Sequence, residues 1–337
     1  MIDLRSDTVT KPTPELLQAM MEAEVGDDVF GEDPTVNRVQ QKVADYFGME
    51  AGLFVPSGVM SNQLGIKVLT QPGDELLMDE KGHIFNYETG GASFLSGVQI
   101  HPLKGKRGKL SPEDVQHTVR GSFDWEPRTR VLAIENSTNK GGGVCYQKEE
   151  LIELKSFASK HDLSFHIDGA RIWNAMVATH IEPAFFGGLA DTISVCFSKG
   201  LGAPVGSMLL ASNERIGLAR RYRKMWGGGM RQVGLLAAAA EYALDHNLSK
   251  LELDHQRARQ LAQIISQHPG LSIDVESVET NILMFNTLKE DASSLVNRLS
   301  AQGIGVVPFG PNTVRATFHY QVTNDDFERL IHVFETL

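Results

Sequence analysis

The alternation of strand-like and helix-like segments from residue 35 to about residue 245 most constrains how this chain can fold. Residues 35–47 have apolar side chains at helical spacing, whereas residues 51–55, 130–134 and 163–167 are short apolar runs typical of buried strands. Strands that alternate with helices predict a mostly parallel sheet covered by helices on both faces. A further apolar run, residues 206–211, is compatible with an antiparallel strand in the same sheet.

The chain beyond the alanine-rich helix predicted at residues 234–246 has a different pattern and predicts a smaller α/β domain. Its predicted elements are helices at 251–268, 293–302 and 325–334, with strands near 281–285 and 313–316. We therefore expect an N-terminal segment and large domain over residues 1–246, and a small C-terminal domain over residues 247–337.

Charge and composition exclude several classes of function. The 32 basic and 42 acidic residues give a formal net charge of −10, which disfavours nucleic-acid binding. No apolar run is long enough to span a bilayer, and the charged start lacks the apolar core of a signal peptide. The two cysteines, Cys145 and Cys196, cannot form a disulfide framework and are expected to be buried thiols. A cytoplasmic protein is the expectation.

Two polar residues follow predicted strands of the sheet. Asp168 ends the run of residues 163–167, with Arg171 close behind, and Lys199 follows the apolar run of residues 192–197. Ligands of open α/β sheets bind beyond the carboxyl ends of the strands. Asp168 and Lys199 are 31 positions apart, the length of one crossover unit, which favours a shared edge of the sheet. Asp168 could instead cap a helix, and Lys199 could be an ordinary surface lysine.

A third segment, Ser57-Gly58, lies between the strand of residues 51–55 and a predicted helix at residues 60–69. Free amides at a helix N-terminus bind anions, although the segment taken alone is better interpreted as an ordinary turn. A lysine amine, a carboxylate and a phosphate cradle together suit pyridoxal phosphate, which needs a Schiff base, an acid at its pyridine nitrogen and phosphate donors. The glycine fingerprint of a dehydrogenase is missing after the first strand.

Several longer motifs then identify a family. The sequence resembles, over essentially its whole length, the bacterial low-specificity L-threonine aldolases, which are fold-type-I pyridoxal-phosphate enzymes. The matching segments are residues 2–10 (IDLRSDTVT), 25–34 (VGDDVFGEDP), 55–58 (VPSG), 166–171 (HIDGAR), 197–206 (FSKGLGAPVG) and 227–232 (GGGMRQ). The resemblance implies the fold-type-I architecture, a large domain with a mostly parallel mixed sheet and a smaller C-terminal domain.

The resemblance also implies how the cofactor is held. Lys199 would bind pyridoxal 5′-phosphate covalently through its amine, and Asp168 would pair with the pyridine nitrogen and keep it protonated. Gly58 and Val59 would donate backbone amides to the phosphate, with Ser57 in the same cofactor-binding turn. No metal ion is expected.

Further residues would bind the substrate or complete the assembly. His83 would stack on the cofactor ring and lie near the substrate hydroxyl, which makes it the third predicted catalytic residue beside Lys199 and Asp168. Ser6, Arg171 and Arg315 would hold the substrate carboxylate, and Arg171 would also contact the cofactor. Arg231 would reach the phosphate of a neighbouring subunit, which implies a homo-oligomer with a dimer as the catalytic unit, expected as a tetramer.

The chain departs from the family pattern at three places. Val59 stands where the family usually has threonine, and Thr138 stands in place of a histidine in the segment beginning at Glu135. Trp125 aligns with the second active-site histidine of the family, so His83 is left as the obvious histidine for the hydroxyl. An aromatic side chain at Trp125 would suit a bulkier 3-hydroxy amino acid.

The expected reaction is retro-aldol cleavage of L-threonine, L-allo-threonine and related 3-hydroxy amino acids, including phenylserine, to glycine and an aldehyde. Alternatives that the same residues allow are β-elimination or transamination of an amino acid, because a carboxylate clamp serves all of them. A pyridoxal-phosphate-binding sensor without catalysis is a rival of another class, disfavoured by the joint presence of Lys199, Asp168, Arg171 and Arg315.

Overall fold

A seven-stranded sheet organises the computed structural model, which describes residues 1–121 and 123–337. The strands are β1 (Ile2–Asp3), β2 (Ala51–Val55), β3 (Asp74–Asp79), β4 (Gln99–Leu103), β5 (Arg128–Glu135), β6 (Ser164–Gly169), β7 (Thr192–Cys196), β8 (Ser207–Ala211), β9 (Leu271–Ser272), β10 (Ile282–Thr287), β11 (Ile304–Gly305), β12 (Val307–Pro308) and β13 (Thr313–Thr317). The central sheet has the order β2-β8-β7-β6-β5-β3-β4.

Only β8 opposes the other strands of this sheet. It pairs antiparallel with both β2 and β7. The other neighbouring strands pair in parallel, namely β4 with β3, β3 with β5, β5 with β6 and β6 with β7. The carboxyl ends of β2, β3, β4, β5, β6 and β7 therefore lie along one edge. The predicted mostly parallel sheet and its antiparallel strand are confirmed.

Helices cover the central sheet and also pack in the C-terminal part of the chain. They are α1 (Pro14–Met21), α2 (Pro34–Phe47), α3 (Gly58–Leu69), α4 (His83–Asn86), α5 (Pro112–Val115), α6 (Lys148–Lys160), α7 (Ile172–Thr179), α8 (Pro183–Leu189), α9 (Asn213–Met225), α10 (Gly234–Asn247), α11 (Leu251–Gln267), α12 (Ala292–Ala301) and α13 (Asn324–Glu335). None of the helices formed by the described residues combines the length and apolar character needed to cross a bilayer.

Helix α2 illustrates how the sequence specifies these elements. Asp33 caps its first turn by accepting a hydrogen bond from Val36 N at 3.0 Å, and Pro34 suits the first helical position. Gly48 ends the helix at φ +63°, a conformation that glycine adopts without strain. Between them the buried face packs into the main hydrophobic core beside the sheet.

The C-terminal part has a second hydrophobic core and a four-stranded sheet of order β12-β13-β10-β9. The first residues of the chain belong to this region, because β1 pairs in parallel with β11 and both Ile2 and Leu4 are buried in the second core. The boundary near residue 246 stays a prediction. Cys145 and Cys196 are free and buried, as expected.

Candidate active site

A cavity of 270 Å³ opens where β2, β6 and β7 end. It is formed by the loops after these strands together with the beginnings of α3 and α4. The lining residues are Pro56, Ser57, Gly58, Val59, Asn62, His83, Ala170, Cys196, Ser198, Lys199, Pro204 and Val205. The cavity therefore contains five of the predicted site residues.

Asp168 lies at the carboxyl end of β6, next to the cavity, and is 1% exposed. Its Oδ2 accepts a hydrogen bond from Asn62 Nδ2 at 2.9 Å, and its Oδ1 accepts one from Ala170 N at 3.1 Å. Helix α7 begins after Arg171 without a side-chain cap, so the alternative that Asp168 is a helix N-cap is wrong.

Lys199 lies in the tight loop after β7, half-buried in the cavity wall. Its carbonyl accepts a hydrogen bond from Gly202 N at 2.8 Å, and Gly202 has φ +80°. A Cβ at Gly202 would collide with the ring of Tyr320, so the turn requires glycine. Lys199 is thus held at a ligand cavity and not on an open surface.

The N-terminus of α3 forms another wall of the cavity. Ser57 caps the helix by accepting from Met60 N at 3.2 Å, which leaves the amides of Gly58 and Val59 without an intrahelical acceptor. Gly58 packs so closely that a Cβ there would come within 2.6 Å of Cys196 Sγ. Two amide donors and the positive end of the helix dipole are therefore available to an anion.

His83 begins α4 and is held from two sides. Its backbone N donates to Glu135 Oε2 at 2.7 Å, and its ring Nδ1 lies 3.0 Å from Glu88 Oε1. Burial favours the neutral ring, but the hydrogen bond to Glu88 and the charge of Asp168 outweigh it, so the pKa of His83 is raised.

Glu135 ends β5 directly beside Asp168, its register partner in β6. Its oxygens accept backbone hydrogen bonds from His83 and, at 2.7 Å, from Asn139. Burial and then the like charge of Asp168 raise the pKa of Glu135 to about 7. This carboxyl group, next to His83 and Asp168, therefore changes its protonation near neutral pH.

Arg171 is almost fully buried and forms a two-pronged ion pair with Asp7. Its Nε and Nη2 donate to the two carboxylate oxygens at 2.8 and 2.7 Å. Burial opposes the ionisation of both groups, but their mutual attraction dominates, so the pKa of Asp7 is lowered and that of Arg171 is raised. Nε and Nη2 of Arg171 thus contact Asp7, and the predicted role of Arg171 in holding the substrate carboxylate stays a prediction.

Arg315, on β13, lies close enough to Arg171 for their charges to interact. Its Nη1 donates to Asn139 Oδ1 at 2.8 Å, its Nη2 donates to Arg5 O at 3.0 Å, and its buried Nε has no partner among the described residues. Burial and then the charge of Arg171 lower the pKa of Arg315 to about 10, so it stays cationic at neutral pH. An unpartnered guanidinium N–H is ready for an anion.

Two other predicted positions, Ser6 and Arg231, are not part of the cavity lining. Ser6 Oγ accepts from Thr8 N and Thr8 Oγ1, and so caps a short 3₁₀ turn that begins at Asp7. Arg231 is exposed and pairs with Asp27 at 2.9 Å, outside the cavity lining. The single chain therefore does not bring Arg231 to the cavity, and its role across subunits stays a prediction.

Trp125 is also not brought to this cavity. It is 76% exposed and stacks on Phe123 in the loop that enters β5 from its amino end, whereas the cavity lies at the carboxyl end. Eight strand residues separate the two ends, about 25 Å at the usual rise per residue. Thr138 also lies away from the cavity, with its Oγ1 donating to Arg107 O. The described structure therefore gives neither position a contact with the cavity.

Four buried polar residues were missed by sequence reasoning, namely Asp7, Asn62, Glu88 and Glu135. Asp7 and Glu135 lie inside quoted motifs and Glu135 directly follows an apolar strand, so a signal existed. His83, Glu88 and Asp168 place ligand-type atoms within 4.8 Å of one another. Asn62 Nδ2 bridges the two carboxylates, donating to each at 2.8 and 2.9 Å. The expected absence of a metal ion stays a prediction.

Known proteins resemble this chain over its full length. A family model described as beta-eliminating lyase matches residues 3–288. The low-specificity L-threonine aldolase 1 of Arabidopsis thaliana is 39% identical and covers 99% of this chain and 95% of that protein. The low specificity L-threonine aldolase of Escherichia coli (strain K12) is 38% identical, with 96% of each chain covered.

A solved structure agrees with these relatives in fold. The threonine aldolase of Leishmania major superposes with a TM-score of 0.85 at 18% identity, covering 100% of this chain and 99% of that one. The predicted fold-type-I α/β architecture is thereby confirmed.

Proposed function

The chain belongs to the beta-eliminating lyase family, and on this premise we propose that it is a low-specificity L-threonine aldolase. It cleaves the Cα–Cβ bond of L-threonine, L-allo-threonine and related 3-hydroxy amino acids to give glycine and an aldehyde. The observation that carries this proposal is the convergence of the Lys199 loop and the Asp168 carboxylate at one cavity.

The residues of this cavity fit pyridoxal 5′-phosphate, the cofactor of the family. The amine of Lys199 suits its aldehyde, the buried carboxylate of Asp168 suits its pyridine nitrogen, and the free amides of Gly58 and Val59 suit its phosphate. When bound, the cofactor supplies an electron sink that stabilises negative charge at the substrate Cα. Asp168 keeps that sink effective, because an ionised carboxylate favours the protonated pyridine.

Arg315 recognises the substrate carboxylate through its Nε, which has no partner among the described residues. Arg171 supports it at close range through the remaining Nη1, while Asp7 fixes the orientation of Arg171. Ser6, at the start of the same 3₁₀ turn as Asp7, adds a hydroxyl. Fixing the carboxylate selects which bond at Cα is aligned for cleavage, so positioning determines the reaction type.

His83 accepts the proton of the substrate β-hydroxyl. Its Nδ1 faces Glu88, so Nε2 is the nitrogen left for substrate. Proton transfer by a positioned group contributes about 10²- to 10⁴-fold in rate. A homo-oligomer with a dimer as catalytic unit, assembled as a tetramer in the cytoplasm, completes the proposal, with Arg231 contributing to a neighbouring site.

The proposal is tested by incubating purified protein with L-threonine, L-allo-threonine and phenylserine and measuring glycine and aldehyde. Glycine and aldehyde in equal amounts support aldol cleavage. Ammonia with a keto acid would indicate β-elimination, and a keto acid formed only with an amino acceptor would indicate transamination. The comparison of phenylserine with threonine also tests whether aromatic substrates are preferred.

Two matched variants make the test specific. Lys199→Ala should lose aldehyde release and the borohydride-sensitive absorption of bound cofactor. Lys160→Ala, which removes an exposed lysine at the end of α6, should retain both. Full cleavage by Lys199→Ala would overturn the proposal.

A further inference from the structure

Glu88 is a buried carboxylate beside His83, and the proposed reaction leaves its own role unassigned. It follows the short helix α4, and its side chain is fully buried. Three groups surround it at hydrogen-bond distance: Asn62 Nδ2 at 2.8 Å, Gln63 Nε2 at 2.6 Å and His83 Nδ1 at 3.0 Å. The cost of burying a carboxylate is met here by donors and not by a lysine or arginine.

The amide partners of Glu88 fix what His83 must do. Asn62 and Gln63 use N–H groups, which can only donate, so an ionised Glu88 accepts from both. The same ionised carboxylate can only accept from His83, so Nδ1 carries a hydrogen. Nε2 is then the nitrogen that a neutral His83 offers as a base, on the side of the ring away from Glu88.

We propose that Glu88 is a positioning residue that holds the His83 ring with Nε2 directed at the substrate hydroxyl and stabilises the imidazolium formed when Nε2 takes the proton. This inference rests on the proposed aldolase function. In that step the β-hydroxyl O–H bond breaks, the proton goes to Nε2, and a C=O bond forms at Cβ as the Cα–Cβ bond breaks. The electron pair stays on the glycine fragment, where a proton replaces the aldehyde.

Other charged groups also act on His83, and the test must separate them from Glu88. The titratable groups that face it from the packed elements are Glu88 beyond α4, Tyr87 at the end of α4, Glu135 at the end of β5, Asp168 at the end of β6 and Lys199 after β7. Neighbouring His166 is held neutral, since burial lowers its pKa to about 4. Among these groups only Glu88 hydrogen-bonds the His83 ring.

The experiment compares Glu88→Gln with Glu80→Gln, which removes an exposed carboxylate eight residues earlier. Histidine side chains are labelled with ¹³C, and the His83 signal is identified by its absence in His83→Asn. Its titration is followed in the enzyme with and without cofactor. We expect the pKa of His83 to fall by about one unit in Glu88→Gln, because a charged acceptor is lost, and to be unchanged in Glu80→Gln.

Kinetics supply the second measurement. A base must be neutral to accept a proton, so the acid limb of the kcat profile should move to lower pH in Glu88→Gln. The plateau kcat should fall about 10- to 100-fold, with KM changed less than about twofold. A kcat loss with an unmoved acid limb and an unmoved His83 titration would show that Glu88 is merely structural, and would overturn the proposal.

Glu88→Asp keeps the test decisive if Glu88→Gln does not fold. It retains the charge but withdraws it by one methylene, so His83 should titrate between the wild-type and ordinary values. An aspartate variant that titrates as the wild type while losing the same activity would also overturn the proposal. If the wild type releases no aldehyde, the aldolase function fails, yet the NMR titration still decides whether Glu88 controls His83.

Discussion

Buried acidic residues have different partners at the two sides of the central sheet, the amino edge, where the parallel strands begin, and the carboxyl edge, where they end. At the amino edge, Asp74 and Glu75 begin β3 and pair with arginines: Arg128 lies 2.9 Å from Asp74, and Arg120 lies 3.1 Å from Glu75. At the carboxyl edge, no arginine or lysine ion pair reaches Asp168, Glu135 or Glu88 among the described residues. There the partners are backbone amides, the side-chain amides of Asn62 and Gln63, and the ring of His83.

This difference separates structural from chemical roles. The negative charge of a buried carboxylate next to an arginine is balanced by the guanidinium, and removing the carboxylate leaves the arginine charge unpaired. A buried carboxylate without a cationic partner whose pKa is perturbed is typical of functional sites. Glu135 at the carboxyl edge is such a group, because burial and the like charge of Asp168 raise its pKa to about 7.

The largest expected effect comes from Asp168→Asn at the carboxyl edge. The amide cannot hold a proton on the pyridine nitrogen, so aldehyde release should fall on the order of 10³-fold, as expected for loss of a group that controls a proton. The free energy of unfolding should change little, because no lysine or arginine among the described residues pairs with Asp168 and would lose its partner. Steady-state kinetics with chemical denaturation measures both, and a loss of stability without a loss of activity would contradict the comparison.

Glu75→Gln at the amino edge should behave in the reverse way. Glu75 accepts from Arg120, Thr129 and Gln99, so its loss leaves a guanidinium short of a partner. We expect the free energy of unfolding to fall, because Arg120 and the buried Thr129 lose the charged acceptor of their hydrogen bonds. Activity well below the unfolding temperature should remain within about twofold of the wild type. Thermal unfolding and aldehyde assays check this prediction, and an equal loss of both would mean that the two edges are not distinct.

Glu135→Gln sharpens the comparison through its pH dependence. The folded pKa of about 7 lies above the ordinary value of 4.5, so between these values the folded state binds more protons than the unfolded state. The contribution of Glu135 to stability is therefore lost as pH rises through this window. The variant lacks this titration. The difference between its free energy of unfolding and that of the wild type should therefore be about 2–3 kcal/mol more favourable to the variant at pH 8 than at pH 5. Urea unfolding at both values tests this, with Glu80→Gln expected to show no such change.

The sequence predicted the carboxyl edge well because its signals are local. Asp168 and Lys199 each follow an apolar strand, and chain direction alone brings such strand ends together. The pairing of Arg171 with Asp7 was not predictable this way, because 164 positions separate them and only the tertiary fold joins them. Glu88 lies in a segment without strand or helix periodicity, so only the structure reveals its contact with His83.

Two C-terminal strands, β10 and β13, were predicted from their apolar runs to within two residues, whereas the two-residue strands β9, β11 and β12 were not predicted. The edge strand β4 was missed because Gln99, His101 and Pro102 break the apolar pattern of a buried strand. Trp125 was assigned to the site from an aligned position alone. Its loop leads into β5 from the amino edge, and the residue-to-residue match carries no information about which end of a strand a loop approaches.

The smallest effect tests whether close packing at the carboxyl edge serves the cofactor. In Gly58→Ala the new Cβ would lie 2.6 Å from Cys196 Sγ, so the first turn of α3 must shift and its free amides move with it. We expect cofactor affinity to fall about tenfold, equivalent to about 1.4 kcal/mol, measured by titrating apoenzyme with pyridoxal phosphate.

Gly217→Ala is the matched control for this variant. Gly217 lies within α9, and a Cβ there meets nothing within 4 Å, so alanine should favour the helix slightly and leave cofactor affinity unchanged. Adding Cys196→Ala to Gly58→Ala removes the sulfur that causes the clash and should restore most of the affinity. If the double variant binds the cofactor as weakly as Gly58→Ala, the close contact with Cys196 does not determine the position of the backbone amides in the first turn of α3. The carboxyl edge would then hold its phosphate site by the helix cap of Ser57 alone.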